Sequence, residues 1–392
     1  MRFWMSNMEA IVYTTLLLFI IGTVNIFSAS FVESGQTMND GYYYLKRHLM
    51  MFGIGMIAMT LMSRIDYHRL KRLITLLMLL TIGLLVAVHT NGIIINGAKR
   101  WVNLGFQFQP SELAKLTGIM ITAGYLGPVI DYGRRVTLLS TPFYITVLLA
   151  GIVYKQPDMG TAVIIIGVCL VLYLIAGLPK QQLLILLGGG SILFIYAALT
   201  AAYRAERIYA WLNPWAYQQG IGYQSVQGLL AIGSGGFFGT GLGMGASKFY
   251  YLPEGHTDFA FAVLCQEMGF IGAFAVLFLM TTFAYYGIKI ALKAPDGFGK
   301  MLAIGTVVLI VGQALINMSM VSGLLPVVGV PLPFISFGGT ALIVNLTGIG
   351  ILLNVGRQAV NFVPGESASS PENSRNTRLK LARQARTLSR VK

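Results

Sequence analysis

Met301-Leu-Ala-Ile-Gly-Thr-Val-Val-Leu-Ile-Val-Gly-Gln-Ala-Leu-Ile-Asn-Met-Ser-Met-Val-Ser322 is a run of 22 residues without one formal charge. At about 1.5 Å of rise per residue, a helix of that length crosses the roughly 30 Å hydrocarbon layer of a bilayer. Backbone inside that layer must satisfy its own hydrogen bonds, so the run reads as a membrane-crossing helix. Outward from it, nine further apolar runs recur at 10–31, 46–62, 73–89, 114–130, 138–154, 161–177, 183–202, 258–287 and 340–355. The whole chain of 392 residues is 55% hydrophobic and 11% charged, with mean hydropathy +0.70. A soluble domain carries about twice that charge. The expected fold class is therefore an all-α integral membrane protein, a polytopic bundle of about ten transmembrane helices. It divides into an N-terminus at 1–9, one transmembrane domain at 10–357 with a long outer loop at 203–257, and a basic tail at 358–392. The first run ends in Ser28-Ala-Ser30, which mimics a signal-peptidase site. Its flank is barely basic and the run is long, so an uncleaved first helix is expected.

The net charge of +14 does not point to nucleic acid. Seven of the 28 basic residues fall between Arg375 and Lys392, behind a Ser/Pro/Glu-containing linker at 364–374. Attraction to anionic membrane lipid is the plainest use of such a tail, with partner binding left open. With both termini cytoplasmic, inner segments before the tail hold twelve Lys/Arg and outer ones nine, a modest positive-inside bias. Cys169 and Cys265 lie inside predicted spans and offer neither a disulfide framework nor metal spacing, which suits apolar packing.

The outer basic residues belong to an uneven distribution of polar chemistry. Helix parity puts four segments on one face: Asn96 to Lys115, Lys155 to Thr161, the loop 203–257 ending in Leu252-Pro-Glu-Gly-His-Thr-Asp258, and Pro326 to Thr340. Arg100, Lys115, Lys155, Arg204, Arg207 and Lys248 supply cations suited to phosphate. Glu112, Asp158, Glu254 and Asp258 supply carboxylates able to act as bases or hold a metal ion.

Each element also has a plainer reading. Trp101 beside Arg100 can be an interfacial anchor, and Ser111-Glu112 after Pro110 can be helix-start chemistry. Pro157-Asp158 can be a turn. The seven glycines within 233–245 lack any βαβ context and suit close packing or a re-entrant segment. Thr257 can cap the eighth span, with Asp258 in its first turn, so capping and catalysis weigh evenly on spacing alone. Glu267 lies nine residues further on, roughly 13 Å deeper. A charge near mid-bilayer costs about 2.5–3.5 kcal/mol on insertion scales, so a structural polar partner is expected there.

Six of these segments, in order, carry a resemblance: Asn96-Gly-Ala-Lys-Arg-Trp, Gln109-Pro-Ser-Glu-Leu-Ala-Lys, Gln156-Pro-Asp-Met-Gly-Thr, Gly222-Tyr-Gln, Leu252-Pro-Glu-Gly-His-Thr-Asp-Phe and Pro331-Leu-Pro-Phe-Ile-Ser-Phe-Gly-Gly. From about Asn25 to Arg357 the chain resembles the SEDS family of bacteria, which includes RodA, FtsW and SpoVE. Gly222-Tyr-Gln-Ser-Val-Gln, and Lys248 ahead of Leu252-Pro-Glu, are most similar to the FtsW and SpoVE branch. One departure is Cys265-Gln-Glu-Met-Gly, where the family often shows two adjacent acids.

The resemblance implies a peptidoglycan glycosyltransferase that polymerises lipid II at the outer face of the cytoplasmic membrane, at the division septum or in sporulation. Undecaprenyl-pyrophosphate-linked glycan would be the donor and the 4-hydroxyl of lipid II the acceptor, with inversion. Asp258 would be the catalytic base. Arg100, Lys115 and Lys248 would hold pyrophosphate. Glu254 and His256 would shape the site or help bind a divalent cation (magnesium or manganese), with Glu112 and Asp158 in support. No metal-ligand set is readable and no organic cofactor is expected. Implied partners are a class B penicillin-binding protein acting as transpeptidase, and other division proteins. A lipid II flippase and a non-catalytic division scaffold remain as alternatives.

Overall fold

The computed structural model describes residues 6–95, 98–103, 105–199, 202–246 and 252–361. The tail from 362 onward and Lys248 lie outside the described residues. Twelve α-helices are described: α1 (Asn7–Thr37), α2 (Tyr43–Arg64), α3 (Tyr67–Asn91), α4 (Pro110–Asp131), α5 (Thr141–Tyr154), α6 (Met159–Ile175), α7 (Lys180–Leu199), α8 (Ala202–Leu212), α9 (Tyr223–Gly235), α10 (Ala260–Leu292), α11 (Gly297–Val321) and α12 (Gly339–Asn361). Ten of them, all but α8 and α9, occupy the ten apolar runs. Among the described residues α1, α3, α4, α10, α11 and α12 are long and apolar enough to cross a membrane, and α5 and α6 are shorter apolar helices.

Small residues let these helices close on one another where no hydrophobic effect drives them together. On the α2–α12 seam, a Cβ on Gly350 would come 2.4 Å from Met59 O. On the α4–α11 seam, a Cβ on Gly127 would come 2.5 Å from the Phe298 amide nitrogen. Large apolar side chains such as Phe274 and Phe278 of α10 remain exposed on the outside of the bundle, where lipid solvates them.

The end of the bundle that carries residues 203–257 holds more structure than a set of loops. A three-stranded antiparallel sheet follows α3, with β1 (Ile93–Ile95), β2 (Ala98–Asn103) and β3 (Gln107–Phe108) in that order. Ile95 pairs with Ala98, and the two residues between them in the sequence, Asn96-Gly97, are a dipeptide that two-residue hairpin connections favour. Period-two alternation then sends Lys99 and Arg100 to opposite faces. Lys99 Nζ donates to His89 O and Thr90 O at 2.8 and 2.9 Å, closing the last carbonyls of α3.

The long segment between α7 and α10 contains α8, a single 3₁₀ turn at Pro214–Tyr217, α9 and a glycine-rich segment. That segment docks on a break in α10. Gly269 has φ 63° and ψ −162°, a conformation open essentially to glycine alone, and it interrupts the helix. Thr240 N and Gly241 N donate to Gln266 O and Glu267 O at 2.9 and 3.1 Å, while Phe270 N and Ile271 N donate to Gly236 O and Phe237 O at 3.0 and 3.4 Å. The peptide groups released by the break are thus satisfied by neighbouring backbone, as burial in a bundle requires. The close-packing reading of the glycine run holds here. Beside the break, Ser28 Oγ of α1 donates to Glu267 Oε1 at 2.6 Å, the structural polar contact expected for that acid.

Candidate functional site

The segment Leu252–Asp258 turns tightly into α10. Thr257 N and Phe259 N both donate to Glu254 O, at 3.1 and 3.0 Å, and Glu254 takes φ 55° to receive them. The Thr257 hydroxyl donates to Glu254 Oε2, so it is engaged backwards along the chain and does not cap the helix. α10 starts at Ala260 with Phe259 as its N-cap residue and no side-chain cap bond. Asp258 therefore precedes the membrane span and is not a helix cap, which removes its plainer reading.

The Asp258 carboxylate is only partly exposed. Among the described residues none donates a hydrogen bond to it. Burial is the largest influence on its acidity; the Glu254 carboxylate adds to that, Arg100 opposes it, Asp158 adds and Arg207 opposes, and the carboxyl is pushed up to about 7. The fold has thus gathered three acids and two guanidiniums from four different stretches of chain into one electrostatic neighbourhood at one end of the bundle.

Arg100 reaches this neighbourhood from β2. Its Nε donates to Gln156 O at 3.3 Å, and Nη2 donates to Pro157 O. Next in the chain, Asp158 is 2% exposed and caps α6, Oδ1 accepting from Thr161 N at 3.2 Å. Its Oδ2 accepts from Gln109 Nε2 and Ser111 Oγ at 3.2 and 3.3 Å. Asp158 thus does serve as the turn and cap foreseen for it, while its charge still acts on Asp258.

Three other residues chosen from the sequence are placed differently. Lys115 and Glu112 form an ion pair of 2.7 Å, with side-chain exposures of 1% and 4%. Lys115 Nζ also donates to Gln313 Oε1 at 2.8 Å. Its ammonium is directed into the α4–α11 seam and is not presented to a pyrophosphate, which corrects that expectation. The reason is helical geometry, since positions i and i+3 share a face and this face is buried. His256 is placed against α1 and α2: its Nδ1 lies 3.2 Å from Glu33 Oε2, its ring 4.4 Å from that of Tyr44, and its carbonyl accepts from Phe337 N at 2.9 Å.

The contribution of Arg207 becomes clear only in the fold. On α8, Arg207 and Trp211 are four residues apart and face the same way. Arg207 Nη1 donates to Val327 O at 3.2 Å and Trp211 Nε1 to Gly323 O at 2.9 Å, fastening the loop after α11. Asn317 of α11 and Gly329 likewise had no sequence signal, whereas Gln109 opened a quoted motif without a role of its own. Among the described residues no three His, Cys, Asp or Glu side chains converge to hold a metal ion. Of the carboxylates gathered here, Asp158 has both oxygens engaged by hydrogen-bond donors, whereas Asp258 accepts none among the described residues.

The sequence profile FTSW_RODA_SPOVE, described as cell cycle protein, matches residues 8–361. Stage V sporulation protein E of Bacillus subtilis (strain 168) is 40% identical over 357 residues, covering 88% of this chain and 96% of that protein. A protein of Trichlorobacter lovleyi named as a probable peptidoglycan glycosyltransferase FtsW is 41% identical over 345 residues, covering 85% and 89% of the two chains. Among solved structures, one described as "Structural coordination of polymerization and crosslinking by a peptidoglycan synthase complex" superposes with TM-score 0.75 at 28% identity, covering 90% of this chain and 98% of that one. The rod shape determining protein RodA of Thermus thermophilus superposes with TM-score 0.64 at 28% identity, over 89% and 96% of the two chains. A profile match spanning the bundle from α1 to α12, joined to relatives at this identity, shows that the chain belongs to the FtsW/RodA/SpoVE family of cell cycle proteins.

Proposed function

We propose that this protein is a membrane-embedded peptidoglycan glycosyltransferase that polymerises lipid II at the outer face of the membrane, serving division or sporulation. The observation that carries the reading is the Asp258 carboxyl, pushed up to about 7 and flanked by Arg100 and Arg207 at the outer end of an apolar bundle. A base works best when its pKa lies near the operating pH. A lipid-linked pyrophosphate sugar needs apolar helices for its tail, cations at the interface and a base at the rim.

In the proposed step the acceptor 4-hydroxyl attacks the anomeric carbon of the lipid-linked glycan. A new carbon–oxygen bond forms, the bond to pyrophosphate breaks, its electron pair leaves with undecaprenyl pyrophosphate, and the hydroxyl proton passes to Asp258. Arg100 supplies a planar, permanently charged fork for the phosphates, and Arg207 a second cation. Lys248 remains a proposed phosphate contact. A divalent cation can be held by one or two carboxylates together with substrate phosphates, so Glu254 would suffice for that part of the proposal without an all-protein cage. No step above is routed through the ion. Crosslinking would fall to a partner transpeptidase of the class B penicillin-binding proteins, in keeping with the synthase complex that this fold resembles.

A flippase is the second reading, favoured by one observation: transporters use interrupted helices, and α10 is interrupted at Gly269. Yet the interruption is closed by backbone bonds from 236–241 and offers no row of free carbonyls to a substrate. Full-length protein in liposomes with lipid II and a cognate transpeptidase separates the readings. Glycan polymer is expected. Transbilayer movement without polymer would establish the flippase, and neither outcome would leave a scaffold.

A further inference from the structure

Asp258 is held on two sides by groups with no part in the chemistry above. Asn317 of α11 is fully buried and uses both hydrogens of its amide nitrogen, donating to Asp258 O at 2.8 Å and to Val330 O at 2.6 Å. The helix leaves the Asp258 carbonyl available for this, because Ala262 N turns to Phe259 O at 2.9 Å. On the other side Gly329 lies against the carboxylate: it has φ 66°, and a Cβ there would sit 3.3 Å from Asp258 Oδ2. Since Val330 adjoins Gly329, one amide fixes both the backbone that carries the carboxylate and the backbone on which it rests.

The loop containing Gly329 is itself immobilised from two further directions. Arg207 holds Val327 O and Trp211 holds Gly323 O. From the α6 side, Val328 O is so close that a Cβ on Gly160 would come within 2.5 Å of it. With no hydrogen-bond donor on its oxygens among the described residues, the carboxylate takes its orientation from this packing.

We propose that Asn317 and Gly329 are positioning residues for Asp258, Asn317 stapling its backbone to the loop and Gly329 setting where its carboxylate points. The proposal rests on the reading of Asp258 as the base. A misplacement of about 1 Å at a reacting group costs on the order of 10²-fold in rate, so such a cradle matters to turnover more than to substrate binding.

The test is kcat and KM for lipid II across pH, using full-length wild type, Asn317→Leu, Gly329→Ala and Asp258→Asn. Asn317→Leu removes both donors at similar volume. Gly329→Ala keeps every backbone group of the loop but presses on Oδ2, and it carries the test if Asn317→Leu fails to fold. Both are expected to lower kcat roughly 10- to 100-fold with KM changed by no more than about twofold, and to move the pH midpoint. A merely structural role would lower folded yield and melting temperature while leaving kcat per folded molecule and the pH midpoint alone. Folded Gly329→Ala with wild-type kcat and midpoint, beside an inactive Asp258→Asn, overturns the positioning role and leaves the base reading intact. A normally active Asp258→Asn overturns both.

Discussion

Asp258 has opposed charges around it, and their balance makes its titration a usable signal. Burial and the carboxylates of Glu254 and Asp158 raise its affinity for a proton, and the guanidiniums of Arg100 and Arg207 lower it. A base must be ionised, so the rate is expected to rise with pH through about 7. Glu254→Gln removes a repelling charge, stabilises the Asp258 carboxylate and should move that midpoint to lower pH; an unchanged profile would show that Glu254 does not act on the base. Arg100→Ala loses both fork and charge, whereas Arg100→Lys keeps the charge, so turnover of lipid II should fall further in the alanine variant. Equal wild-type turnover in both would reduce Arg100 to a tie on Gln156 and Pro157. The acidic cluster ending at Asp258 was visible in the sequence, but its plainer reading as a cap could be set aside only once α10 was seen to begin at Ala260. Asn317 lies 59 residues from Asp258, and nothing local in either stretch announces their contact.

At the scale of elements, the ten apolar runs were legible because hydrocarbon leaves the backbone only one economical conformation for a single crossing segment. Inside 203–257 the same reasoning has no purchase. α8 is short, and its pairing of Arg207 with Trp211 looks like interfacial decoration until the loop after α11 is placed against it. The sheet was signalled by Asn96-Gly97 between Ile93-Ile-Ile95 and Ala98, a hairpin pattern easily overlooked beside strong membrane spans. Glu112 and Lys115 also carried their own signal, the i,i+3 spacing of a helical ion pair. Lys115→Met alone would strand a buried carboxylate, a loss of about 3–5 kcal/mol for a broken buried pair. It should lower the melting temperature in detergent sharply, and Glu112→Gln with Lys115→Met should recover most of it. A double variant that melts like wild type yet cannot bind lipid II would restore Lys115 to the ligand site.

For the whole molecule, the membrane sorts function by face. The acids and guanidiniums around Asp258 collect at one end of the helices, which the proposed topology makes the outer one, and the same topology puts the basic run from Arg375 to Lys392 on the opposite side. Deleting 366–392 should therefore leave intrinsic polymerisation largely intact, and loss of polymer from folded truncated protein would contradict that separation. The central claim is the base itself. Polymer formed from lipid II by purified full-length Asp258→Asn, with its transpeptidase partner and a divalent-ion titration, tests it most directly. Asparagine keeps the size of the side chain but cannot take a proton, so the expected result is a rate lower by roughly 10²-fold or more, unrecovered at any ion concentration, with fold and partner binding preserved. Near-normal polymer from that variant would contradict the assignment, and recovery at high divalent ion would make Asp258 a metal ligand instead of the base.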